Sequence, residues 1–115
     1  MLNLPANIRV FLYRSPTDMR KSFCGLHGLV TETLKQDPLS GDFFVFMNRR
    51  RDRMKILVWE GDGFSIWYKR LESGTFRLPD ANSPTIRLTS TELSLLLGGI
   101  DLVNTKRRRH YSKAV

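Results

Sequence analysis

The chain has 115 residues, 41% of them hydrophobic, and carries 19 Lys and Arg against 11 Asp and Glu, for a net charge of +8 and a pI near 10.3. That length suits one domain with one modest core, and the apolar fraction excludes a wholly disordered chain. A single cysteine, Cys24, excludes an internal disulfide, no stretch of apolar residues is long enough to span a bilayer, and no cationic leader runs into an apolar segment, so a reducing cytoplasmic setting is expected.

Residues 8–13, Ile-Arg-Val-Phe-Leu-Tyr, are β-branched and aromatic and predict a first strand. Ser15-Pro16-Thr17-Asp18 carries helix-start chemistry: hydroxyls to cap, a proline for the first turn and an acid for the positive end. Met19, Phe23, Leu26, Val30 and Leu34 follow at spacings of 4, 3, 4 and 4, which predicts a helix over 18–36 with one apolar stripe. Gly25 and Gly28 lie on it, and close approach of helix to sheet would explain them.

Residues 43–47 and 54–59 predict two strands joined by a highly basic turn. Glu60-Gly61-Asp62-Gly63 turns the chain into a strand over 64–71, and Glu72-Ser73-Gly74 turns it again into 75–78. Residues 85–88 add a short strand. Thr89-Ser90-Thr91-Glu92 is a capping box opening a helix over 90–97, which Gly98-Gly99 closes. The expected fold is a single α+β domain over residues 1–105. It has an antiparallel meander sheet of about five strands, one main packing helix and a short C-terminal helix. A basic, mobile tail over 106–115 completes the chain.

The cations are concentrated in two places. Arg49, Arg50, Arg51, Arg53 and Lys55 crowd the turn between the two central strands. Lys106, Arg107, Arg108, Arg109 and Lys113 crowd the tail. Four arginines in five residues exceed what solubility requires. Guanidinium also offers a bidentate fit to phosphate that an ammonium lacks. The turn therefore reads as a nucleic-acid contact, with an acidic protein surface as the other possible partner and a solvated turn as the bland one. Arg20 and Lys21, near the expected helix start, are the next candidates. Trp59, Phe64, Trp67 and Tyr68 offer stacking faces, although strand alternation must bury some of them.

Catalysis is poorly supported. The acids Asp18, Asp42, Asp52, Asp62 and Asp101 occupy turns and caps, and no zinc pattern exists with one Cys and two His. Cys24 and His27 lie three residues apart on the expected helix, a spacing that packing explains better than a thiolate pair. The strand Phe43-Phe44-Val45-Phe46 faintly matches an RNA-recognition strand, but the order of elements is wrong for that fold.

Longer motifs occur in order: Asp18-Met19-Arg20-Lys21, Gly25-Leu26, Asp37-Pro38-Leu39-Ser40-Gly41, Phe44-Val45-Phe46, Asn48-Arg49-Arg50-Arg51-Asp52-Arg53, Lys55-Ile56-Leu57 and Gly61-Asp62-Gly63-Phe64. Tyr68-Lys69-Arg70-Leu71, Gly74-Thr75-Phe76 and Pro79 follow. Over residues 8–102 this closely resembles the TnpB-type accessory protein of the IS66 group of bacterial insertion sequences, the product of the second open reading frame. Ser22-Phe23-Cys24 departs from the pattern, which has a small residue and then an acid before the Gly-Leu pair. The resemblance implies a part in DNA transposition without the strand-transfer chemistry, beside a larger transposase and a further small accessory protein. Joined with the residues, it gives a non-enzymatic accessory protein that binds DNA, with no cofactor or metal expected. Two rivals are a module that docks on and regulates the transposase, and a small Mg²⁺ nuclease using Asp52 and Asp62. A sheet edge offers a route to oligomers.

Overall fold

The computed structural model describes residues 3–78 and 80–99, and all structural statements refer to these; the basic tail expected over 106–115 lies outside them. The elements are β1 Val10–Tyr13, α1 Phe23–Gly28 with a π-helical continuation Leu29–Thr33, β2 Phe43–Met47, β3 Arg53–Trp59, β4 Phe64–Arg70, β5 Thr85–Leu88 and α2 Ser90–Leu97. They form a five-stranded sheet in the order β4-β3-β2-β1-β5, so the fold is α+β, as the sequence predicts.

The sheet is mixed rather than wholly antiparallel. β1 and β2 run parallel, pairing Val10 with Phe43 and Tyr13 with Phe46. Parallel neighbours need a crossover of a dozen or more residues, and the α1 segment supplies it. The remaining pairs, β2–β3, β3–β4 and β1–β5, are antiparallel. The fifth strand is β5, beside β1. The stretch expected as a strand at 75–78 is irregular, because the Phe76 N–H donates to the Arg51 carbonyl at 2.7 Å instead of joining a ladder.

Strand alternation divides the core between two faces. Val10, Leu12, Phe43, Val45, Met47, Met54, Ile56 and Val58 face α2, which contributes Leu93 and Leu96; Phe76 and Leu78 pack there too. Phe11, Phe44, Phe46 and Leu57 face the α1 side, where Leu26, Val30 and Leu34 meet them. β2 is buried at every position, the mark of a strand covered on both sides.

Helix α1 begins five residues later than expected. The residues at 15–18 do not cap it: the Thr17 backbone N–H donates to the Met47 carbonyl at 2.8 Å, and the Asp18 carboxylate takes Arg20. Ser22 stands at the N-cap without a side-chain cap bond. At the other end the π-turn closes with Leu34 N–H on the Leu29 carbonyl, and Lys35 takes the left-handed position (φ 56°) usual for a helix stop. Helix α2 matches its expected span. The Thr89 hydroxyl accepts from Glu92 N–H at 3.0 Å, and the Glu92 carboxylate accepts from Thr89 N–H at 2.9 Å.

The helix glycines do not serve close approach to the sheet. A Cβ on Gly25 would meet the Lys21 side chain at 3.1 Å, and one on Gly28 would meet nothing within 4 Å. Gly28 has ordinary helical angles, φ −60° and ψ −40°. Gly28→Ala is therefore expected to stabilise the fold by about 0.5–1 kcal/mol, because only the unfolded chain loses freedom. Thermal unfolding checks this: the midpoint rises by a few degrees, and a fall would show hidden crowding.

Candidate nucleic-acid interface

The loop Asn48–Asp52 joins β2 to β3, and Asn48 organises it. Its side-chain carbonyl accepts from the N–H groups of Asp52 (3.1 Å) and Arg53 (3.0 Å), while its amide donates to the Asp52 carboxylate at 2.6 Å. The backbone is braced from outside as well. Leu71 N–H donates to the Asp52 carbonyl and Phe76 N–H to the Arg51 carbonyl, both at 2.7 Å. Arg51 is held left-handed at φ 56°. The loop is thus a fixed platform, tied on one side to the 17–20 segment through Met47 and on the other to the chain after β4.

This bracing decides what the arginines do. The Asp52 carboxyl is held below the usual carboxylate range, first by the Asn48 hydrogen bond, with Arg50 and Arg53 adding attraction. Asp52 forms no ion pair with the tip arginines within 4.0 Å. Arg49 and Arg50 are exposed, and Arg51 and Arg53 half-buried. Across the ladder Arg53 lies directly opposite Arg70, a like-charged pair that costs stability. Arg70 has only an exposed Glu72 contact at 3.5 Å.

The other predicted residues divide. Lys55 is on β3 rather than at the tip; its ammonium donates to the Lys21 carbonyl at 2.8 Å and lies 5.0 Å over the Tyr68 ring. Arg20 is beside the tip, but its guanidinium grips Asp18 with contacts of 2.7–3.1 Å. That grip lowers the Asp18 carboxyl to about 2. Lys21 is exposed near the same edge. Lys106, Arg107, Arg108 and Arg109 lie outside the described residues.

Residues that the charge pattern does not single out join the site, and one of the four rings offered for stacking, Tyr68, lies in it. Thr17, Asn48 and Tyr68 line, with Asp18, Met19, Arg20, Arg49, Arg50 and Arg53, a pocket of about 450 Å³. Arg70 flanks it through its pairing with Arg53. Alternation from Arg53 and Lys55 was the available signal, since it sets Tyr68 and Arg70 on the same sheet face. Of the four aromatics weighed for stacking, Tyr68 is 48% exposed. Trp67 packs on the α2-side core, Trp59 and Phe64 meet edge-on at 5.0 Å, and His27 meets Phe64 rather than a thiol.

Asp52 and Asp62 are not placed to share a metal ion. Asp52 precedes β3 and Asp62 follows it, so seven strand residues part them by roughly 23 Å. Ligands to one divalent ion lie about 2.0–2.6 Å from it. Asp42 is held by Arg9 at 2.7 Å.

The model of the IS66 Orf2-like protein family matches residues 8–107, and the chain belongs to that family. It is 35% identical over 108 residues to the uncharacterized protein y4jC of Sinorhizobium fredii, covering 94% of this chain and 92% of that one. It is 40% identical over 101 residues to y4hO of the same organism, also uncharacterized, covering 88% of each. No solved structure matches. The family places the protein in an accessory role in transposition.

Asn48→Ala is expected to raise the Asp52 pKa toward its ordinary value and to destabilise the fold by about 1–2 kcal/mol. The sign follows from linkage: a carboxyl lowered in the folded state adds stability above its unfolded pKa and loses it as pH falls through the folded pKa. The part of the Asn48→Ala deficit carried by the carboxylate therefore shrinks in acid. Carboxyl NMR titration and urea unfolding at neutral and acid pH measure both effects.

Proposed function

We propose that this protein assists transposition by binding DNA through the β2–β3 tip and performs no strand chemistry itself. The observation that carries this reading is the exposure of Arg49 and Arg50 on a braced loop whose carboxylate is turned to Asn48. Unpaired guanidinium groups repel one another, and a phosphate backbone relieves that repulsion while releasing counterions. A hairpin end is narrow enough to enter a groove, with phosphates as the first contacts and base edges as further ones. Arg53 and Arg70 extend the positive surface along the sheet, and the cations at 106–109 add non-specific attraction. The transposase and the second accessory protein are proposed to share the same DNA-bound complex in the cytoplasm.

Titration of labelled duplex, element ends against random sequence at two salt concentrations, tests this reading. The Arg49→Ala/Arg50→Ala variant is expected to fold normally, since both side chains are exposed, and to lower the salt slope by roughly 1.8. No duplex binding by the wild type at low salt, with transposase binding retained, would replace the DNA reading with a protein-docking one. Asp18→Asn is expected to act in the opposite direction. It frees the Arg20 guanidinium, so duplex affinity rises several-fold at low salt and the gain fades at high salt.

A further inference from the structure

We infer that the pocket beside the tip holds one unpaired nucleotide of a DNA strand, with its phosphate on the arginines and its base on Tyr68. This inference rests on the DNA reading above and goes beyond it, because a paired backbone needs neither a pocket nor an exposed ring.

Size, charge and chemistry agree on this occupant. The pocket's volume of about 450 Å³ is on the scale of small-molecule sites. Arg20, Arg49, Arg50 and Arg53 line it with one carboxylate, Asp18, which leaves four charges minus one, a net +3. Asp18 would repel a phosphate, but both of its oxygens are engaged by Arg20, so the incoming anion meets the three tip guanidiniums instead. Thr17 is 5% exposed, lines the same pocket and has a buried hydroxyl with no hydrogen-bond partner. A buried hydroxyl without a partner carries a desolvation cost that a ligand oxygen removes.

The ring is the second element. Tyr68 is the one pocket-lining aromatic, half exposed, with the Lys55 ammonium over its ring. Stacking on such a ring is tolerant of base identity, so the pocket takes any of the four bases. A base inside a duplex already has neighbours on both faces and reaches the ring only after unstacking, so the pocket favours nicks, overhangs and single strands. Neither of two other concavities repeats this set. One of about 310 Å³ is lined by Arg9 and Arg87 but by no aromatic ring, and one of about 330 Å³ has no cationic lining.

Anisotropy titration of a labelled single strand and its own duplex tests the proposal with three variants. Tyr68→Ala is expected to weaken single-strand binding about tenfold while duplex affinity stays within about twofold. Tyr68→Phe keeps the ring and retains single-strand affinity. Thr17→Val removes the unpartnered hydroxyl while keeping the side chain's shape. Its urea midpoint holds or rises, and single-strand affinity falls several-fold. If Tyr68→Ala leaves both affinities unchanged, or lowers both equally, the nucleotide pocket is overturned while the duplex reading stands. If the wild type binds neither form at low salt, both fall together.

Discussion

An asparagine, not an arginine, takes the carboxylate of Asp52, and the character of the surface follows from that choice. Had Asp52 turned to its arginine neighbours, the hairpin end would be a self-neutralised turn. The Asn48 side chain instead spends its carbonyl on two backbone N–H groups and its amide on Asp52, which closes the loop from within. The chain after β4 closes it from outside through the carbonyls of Arg51 and Asp52. Backbone order is thereby supplied without using the guanidinium groups. A binding surface built this way loses little loop entropy when a partner arrives, which favours affinity.

The rest of the fold keeps that platform in place. β2 is buried on both faces, so the hairpin cannot rotate about its own axis without exposing one core or the other. Helix α1 covers one face, yet it starts only at Phe23. The helix does not cover the part of the sheet where Arg53, Lys55, Tyr68 and Arg70 share a face. The late start of α1 is thus a condition for the site. The segment that the helix does not use, residues 17–20, becomes the opposite wall of the pocket.

Much of this is legible in the residues, and the failures have physical reasons. β2, β3 and β4 were legible from dense β-branched and aromatic runs separated by turn chemistry, and α2 from its capping box and closing glycines. The parallel pairing of β1 with β2 was not, since strand composition carries no direction. The start of α1 is not legible, because Ser15-Pro16-Thr17-Asp18 is rich in capping residues, while the partners of its Thr17 backbone and Asp18 carboxylate, Met47 and Arg20, are set by tertiary and side-chain geometry. The apolar stripe was largely right, with Leu26, Val30 and Leu34 buried, but Phe23 is 47% exposed. The basic tip was visible from charge alone. Tyr68 is visible as one of four candidate rings, but which of them stays exposed is set by packing, and so is the unsatisfied hydroxyl of Thr17.

The most direct test of the account is a backbone amide NMR titration of the protein with a short DNA fragment. The account predicts that shifts concentrate at Thr17, Asn48–Arg53, Tyr68 and Arg70, and that they diminish with added salt. Shifts confined to α2 and β5, or an unchanged spectrum at low salt, would contradict it.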